Sequence, residues 1–226
     1  YGRPIIGWMP EMQHLTWVDS LAFYKKWYAP NNAILVVSGD TTLDQVLPLA
    51  RATYGKLPRE SVPMRTRTTS PHLDGDVRVT FARADVRQPQ WMYMLRAPSA
   101  RENAKDALAL QVLEDVLGGA TGVLYRELTV KEKIATDIDV AYDPNAWDDA
   151  TLTFYATPAT GVSPEKLEAA VHRVLETTAA KGFAPDDIKK SLTRLTDAAV
   201  YARDSLAGPA MTVGAALVAG DTLDNV

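Results

Sequence analysis

Cysteine is absent from the 226 residues, which removes disulfides, thiol nucleophiles and every Cys-based zinc or iron–sulfur site. An excess of positive charge is lacking too: 24 Lys and Arg stand against 28 Asp and Glu, a net charge of −4. That balance argues against a nucleic-acid partner, which would show a basic footprint. No run of about 18 apolar residues is present to span a bilayer. No charged stretch followed by an apolar one marks a secretory leader. No Met precedes Tyr1, and residues 221–226 read as the start of a helix that does not develop. Both ends therefore suggest a fragment of a longer protein, and the lack of a leader is no sign of a cytosolic home.

Catalytic motifs are equally scarce. The three histidines, His14, His72 and His172, lie in different segments and read as surface residues. A zinc peptidase needs two His on one helical face with Glu between them, and neither His-Glu-x-x-His nor its inverse occurs. The turn Gly118-Gly119-Ala120-Thr121-Gly122 could offer amides to an anion, but no Lys-Ser/Thr completes a phosphate loop. It reads as a helix stop followed by a helix start. Ser38, Ser70, Ser99 and Ser205 lack a Gly-x-Ser-x-Gly setting. The acids Asp137, Asp139, Asp143, Asp148 and Asp149 form the densest charged cluster. Asp137 and Asp139, about 6.5–7 Å apart on one strand face, could suit a hard cation or an acid/base pair. Ala141 stands where a calcium loop needs its third ligand, so a solvated hairpin face is the simpler reading.

What is present describes a globular chain, 46% hydrophobic and 23% charged. At this length roughly 70–75% of the unfolded surface can be buried, so no staple is required. Thr16 with Asp19 predicts a capped helix through about Trp27, stopped by Pro30-Asn31-Asn32. Residues 33–39 are continuously apolar and predict a strand. Thr42 with Gln45 predicts a second capped helix ending before Gly55, with Pro48 tolerated in an early turn. Residues 56–75, with Pro58, Pro63, Pro71 and the bases Lys56, Arg59, Arg65 and Arg67, read as a solvated inter-domain linker.

Beyond it, Val77, Val79 and Phe81 alternate as a half-buried strand, and Trp91 to Leu95 reads as a central strand. A helix over 104–117 packs through Ala109, Val112, Leu113, Val116 and Leu117. A short helix over 123–131 leads to a strand with Ile134, Thr136, Ile138 and Val140 on one face, and Leu152, Phe154 and Ala156 alternate along its hairpin partner. Two long helices follow, one through Leu167, Ala170, Val171, Val174, Leu175 and Thr178, the other through Ile188, Leu192, Leu195, Ala199 and Ala202. Runs of strands and runs of helices predict an α+β fold: a layered, mostly antiparallel sheet packed against helices. The N-terminal strand–helix module resembles the end of the second region at coarse grain, a hint of duplication.

Several stretches carry a resemblance. Tyr1-Gly2-Arg3-Pro4-Ile5-Ile6-Gly7, Phe23 to Ala33 (FYKKWYAPNNA), Val36-Val37-Ser38-Gly39-Asp40 and Leu117 to Leu128 (LGGATGVLYREL) together resemble the insulinase/pitrilysin/mitochondrial-processing-peptidase zinc metallopeptidases, over nearly the whole chain. The resemblance implies the LuxS/processing-peptidase-like half-shell, two related α+β domains, with two half-shells closing around a peptide chamber. On it, residues 1–55 are the tail of a first domain, 56–75 the linker, and 76–226 a second, non-catalytic domain. The family's zinc ligands lie upstream of the segment matching Tyr1, so zinc is implied for the parent protein and no cofactor for this chain.

The family's second domain often holds substrate with an Arg and, seven residues on, a Tyr. Those positions fall here at Thr129 and Thr136. A Thr hydroxyl can bond a carbonyl but lacks the Arg fork. Lys131 and Lys133 lie nearby as partial substitutes.

The function implied is peptide-chamber wall and substrate-contacting surface for an upstream zinc-binding domain of the same polypeptide. The chain itself is then inactive and its parent a zinc metalloendopeptidase. Its partners would be that domain, a peptide or unfolded protein, and a second half-shell in a homo- or heterodimer; family habit suggests the periplasm. A second reading is a scaffold or assembly subunit derived from an inactive homologue. A third is a module that adds an extended peptide to a sheet edge.

Overall fold

The computed structural model describes residues 4–67, 71 and 75–224. Two compact units divide the chain, Tyr1–Thr68 and Thr69–Val226.

In the first unit a five-residue helix, α1 (Met9–Gln13), precedes α2 (Trp17–Trp27). The predicted capping box opens α2: Thr16 N–H donates to Asp19 Oδ2 at 2.9 Å, and Asp19 N–H donates to Thr16 Oγ1 at 3.4 Å. The Pro-Asn-Asn stop works through a side chain, since Asn32 Nδ2 donates to the Trp27 carbonyl at 2.8 Å. Helix α3 (Leu43–Ala52) begins where Thr42 N–H donates to Gln45 Oε1 at 2.9 Å, and it keeps Pro48 inside. Residues 33–39 form no strand; they lie largely exposed between the helices, without regular secondary structure. The reason is a missing neighbour, because a strand exists only through hydrogen bonds to a second one. Asn31 Nδ2 donates to the Glu60 carbonyl at 3.1 Å and Glu60 N–H to Asn31 Oδ1 at 2.9 Å. The start of the predicted linker is therefore tied to the first unit rather than simply solvated.

The second unit is α+β, with a three-stranded antiparallel sheet ordered β1 (Trp91–Ala97), β3 (Ala150–Pro158), β2 (Ala135–Tyr142). Trp91 pairs with Ala156 and Ala97 with Ala150 across β1–β3; Ile138 pairs with Ala156 and Tyr142 with Leu152 across β2–β3. The central strand is thus β3, and β1, predicted central, lies at an edge. The alternating segment with Val77, Val79 and Phe81 is not a strand in the structure. Its three apolar side chains are exposed, at 76%, 82% and 74%.

One sheet face carries Phe154, Ile138, Val140, Leu152 and Tyr142 and is buried with Leu167, Val171 and Val174 of α5 (Pro164–Lys181) and Leu117 of α4 (Ala104–Leu117) in one core. The predicted stripes of both helices hold, except that Ala107 rather than Ala109 is the buried alanine of α4. Asn103 caps α4 by accepting Asp106 N–H, and Ser163 caps α5 by accepting Lys166 N–H. Helix α6 (Pro185–Ala202) differs: Ile188 and Leu192 of its stripe are exposed, and Ser191 is its buried residue. Two ion pairs hold it instead, described below. The chain continues into α7 (Gly208–Ala219), for which no amphipathic period gave notice.

Candidate functional site

The glycine-rich turn connects α4 to a short helix, and its geometry explains each glycine that matters. Gly118 N–H donates to the Glu114 carbonyl at 2.7 Å. A Cβ on Gly118 would stand 2.8 Å from Asp139 Oδ1. A Cβ on Gly122 would lie 2.0 Å from the Gly118 carbonyl oxygen and 2.4 Å from that of Leu117. Asp139 Oδ1 accepts from Gly119 N–H at 2.8 Å and from Val140 N–H at 2.9 Å. Asp139 therefore clamps the turn, a role the sequence reading gave neither to it nor to Asp137.

The helix after the turn widens to π geometry over Tyr125–Lys131, with Glu132 N–H donating to the Glu127 carbonyl at 2.9 Å. Leu124 and Leu128 are fully buried beneath it. Thr129 sits in this π turn, and its Oγ1 is buried without a hydrogen-bond partner. Lys133 then takes a left-handed conformation at φ 55°, which reverses the chain into β2.

At the start of β2 the ladder slips between Ala135 and Asp137, so Thr136 is the extra residue of a bulge. It is exposed and does not share the buried face of Ile138 and Val140, which corrects the predicted alternation. Thr136 Oγ1 donates to the Thr157 carbonyl at 3.3 Å. Thr129 and Thr136 thus flank one reversal, one hydroxyl buried and the other bonded to the neighbouring strand. Of the nearby cations, Lys131 is paired with Glu127 at 2.5 Å.

Arg126, quoted in the family-like stretch but assigned no role there, ties this region to α6. Its Nη1 donates to the Thr121 carbonyl at 2.9 Å, and its two Nη atoms grip Asp187 at 3.0 and 2.7 Å. The guanidinium holds the Asp187 carboxyl below its ordinary range. Arg194 reaches Asp115 of α4 at 2.5 Å in the same manner. Glu114, one turn from the glycines, is shifted the other way: burial raises its pKa against the lowering Tyr142 backbone bond, and Asp139, Asp115 and Asp143 add to the rise.

The donor set does not fit the zinc that the resemblance implies for the parent. His14 is exposed on α1's end, its Nδ1 donating to the Pro10 carbonyl at 2.6 Å. His172 is not a solvated surface residue: it packs edge-on against Tyr93 and Trp91, with ring centroids 5.1 and 6.4 Å away. His72 lies outside the described residues. Among the described residues the one group of three possible ligands is Glu102, Asp148 and Asp149, an all-carboxylate set with no imidazole. Asp149 of that set is ion-paired with Arg96, and Asp143 accepts Asn145 N–H at 2.9 Å.

The sheet face away from the core is exposed apart from Thr153 of the central strand, which is buried. Met92, Met94 and Tyr155 stand on it at 58%, 48% and 42% exposure, with Asp137 and Asp139 on the neighbouring strand.

Comparison with known proteins places this arrangement. Residues 15–195 match the family described as the peptidase M16 inactive domain. An uncharacterized zinc protease of Mycobacterium leprae is 26% identical over 186 residues, covering 80% of this chain and 40% of that protein. A crystallised protease from Helicobacter pylori superposes with a TM-score of 0.86 at 23% identity, over 96% of this chain and 52% of that one. The periplasmic protease PqqL from Escherichia coli superposes with a TM-score of 0.63 at 18% identity, over 96% of this chain and 24% of that one. The chain spans about 40% of the length of the curated relative it matches. With four-fifths of its residues inside the family match and the same α+β architecture in the solved relatives, the chain belongs to the peptidase M16 family, in the part known as its inactive domain.

Proposed function

We propose that this chain is the non-catalytic partner domain of a zinc peptidase and that its open sheet face lines the path of the substrate peptide. The observation that carries this reading is the asymmetry of the sheet. One face is the core, while the other offers Met92, Met94 and Tyr155 to solvent beside Asp137 and Asp139. Flexible thioethers and an amphipathic ring suit varied peptide side chains, and the acids suit basic ones. Zinc and the attacking water would come from a zinc-binding domain upstream in the same polypeptide, with residues 1–55 as that domain's tail, 56–75 as linker and 76–226 as the partner domain. A second half-shell, from a like or unlike subunit, would close the chamber.

No helix among the described residues is long and apolar enough to cross a membrane. The likeness to a periplasmic protease supports a periplasmic home.

The test uses the purified chain with an unstructured peptide carrying a photo-reactive group. Cross-links are expected at Met92, Met94 and Tyr155, with no bound zinc and no cleavage. Stoichiometric zinc with proteolysis, or cross-links on the helical side alone, would overturn the reading. A scaffold role has one feature in its favour: at the two positions where the resemblance expects a substrate-holding pair, the Thr129 hydroxyl is buried and the Thr136 hydroxyl is bonded to the Thr157 carbonyl. Under that reading the peptide would not cross-link, and an unlike subunit would co-purify instead.

A further inference from the structure

Helix α6 turns two rows of side chains outward, each at i, i+4 spacing. Ile188, Leu192, Thr196 and Val200 form one row, and Lys189, Thr193 and Asp197 form the next. All of them are exposed, and all but Val200 line one shallow groove of about 430 Å³. The threonines add to its apolar character. Thr193 Oγ1 donates to the Lys189 carbonyl at 3.1 Å and Thr196 Oγ1 to the Leu192 carbonyl at 2.7 Å, so both hydroxyls are satisfied by their own helix. The charges of α6 divide in two. Asp187 and Arg194 pair with Arg126 and Asp115, and Lys190 pairs with Asp186. Lys189 and Asp197, on the outward face, have no ion-pair partner among the described residues.

We propose that this face binds the same face of a second copy of the chain, with the two α6 helices antiparallel about a twofold axis beside Thr193. The charges identify the occupant. Lys189 and Asp197 lie four residues either side of Thr193, each about 6 Å from it along the helix. A twofold axis there, perpendicular to the helix, sets Lys189 of each copy opposite Asp197 of the other, and it brings Leu192 and Thr196 of both copies to the centre. A patch of one sign would call for an unlike partner. Opposite signs at equal distances from one point complement themselves, and they do so only in an antiparallel pair. The apolar row supplies the attraction and the charges fix the register, since exposed ion pairs contribute little. Arg194 and Asp115 tie α6 to α4, so the contact uses the helical layer. It is separate from the substrate path on the sheet, and either can fail without the other.

The experiment is sedimentation equilibrium of the intact chain from roughly 1 to 300 μM, a range chosen because a contact of one helix per copy is small. Monomer and dimer should both be present across it. Leu192→Asp, at a site already half exposed, should keep its circular dichroism and weaken the dimer by about tenfold or more. Lys189→Asp and Asp197→Lys should each weaken it by about tenfold or more, because each sets like charges opposite one another. Mixing these two single variants should restore the dimer, since one then carries only acids at the two positions and the other only lysines. The double exchange should dimerise as the wild type does. A monomer throughout the range, single exchanges that leave the dimer intact, or a mixture that stays monomeric would each overturn the proposal.

Discussion

Gly122→Ala tests the turn on which the candidate site is built. The added methyl would sit 2.0 Å from the Gly118 carbonyl oxygen and 2.4 Å from the Leu117 carbonyl oxygen. Carbon–oxygen contacts ordinarily fall near 3.3–3.6 Å, so both distances are short by about 1 Å or more. Neither obstacle is a flexible side chain. The Gly118 backbone is tied to Glu114, and the next amide donates to the Asp139 carboxylate, so retreat of the turn breaks one neutral bond and one charge-assisted bond. Such bonds contribute about 1 and about 1.5–3 kcal/mol, which sets an expected loss of about 2.5–4 kcal/mol.

Gly119→Ala is the matched control. Its Cβ would meet nothing within 4 Å, but its φ of +65° is left-handed. That conformation costs an L-residue about 1–2 kcal/mol, offset by about 0.4–1 kcal/mol from the stiffer unfolded chain. The net cost is therefore about 1 kcal/mol. For a chain this long, 1 kcal/mol moves the melting temperature by about 2–4 °C, so the two variants should differ severalfold in their shift. Urea unfolding followed by circular dichroism, with hydrogen exchange across 135–158 to localise the loss, measures both. A Gly122→Ala variant as stable as Gly119→Ala would refute the account of the turn.

Three further outcomes follow from buried or paired groups. Thr129→Val removes a buried hydroxyl that has no partner and keeps the shape, so urea unfolding should show a gain of about 1 kcal/mol, and a loss of that size would contradict the burial assigned to Oγ1. Glu114→Gln bears on pH: burial raises the folded pKa above the unfolded one, so wild-type stability falls as pH rises through that window and the full penalty stands above it. The glutamine variant should be the more stable at pH 7, with the advantage vanishing in acid; an advantage that persists in acid would exclude this origin. Asp187→Asn has the opposite sign, since Arg126 lowers the folded pKa and the stability it brings is present above the ordinary carboxylate range and lost as pH falls. The variant should lose about 0.5–1 kcal/mol at pH 7, a modest figure because the pair is part-exposed, and little at pH 2–3; an equal loss at both would show that packing is responsible.

Helix starts were legible because a cap is a local device. Thr16 with Asp19 and Thr42 with Gln45 state the first turn within four residues, and the structure forms both starts. The period of Leu167, Ala170, Val171 and Val174 likewise identified the buried face of α5. Where a helix lacks both signals the reading fails, as at α7, whose run of Gly, Ala, Val and Leu has no polar face. The Thr136 error is of another kind. A single inserted residue changes which face every earlier position occupies, and nothing in Ile134, Thr136 and Ile138 shows that the ladder slips there.

Arg126 and Asp187 lie 61 residues apart, so their pairing was invisible until the fold joined them. Strands raise the same difficulty in a sharper form. Residues 33–39 and 77–82 have the composition and alternation of strands, yet neither pairs, whereas 91–97 has no clearer pattern and does. Sequence records that a segment suits a pleated, half-buried surface, and the surface itself must come from another segment. For residues 33–39 and 77–82 no described segment supplies that surface, so their strand-like composition stays without a ladder.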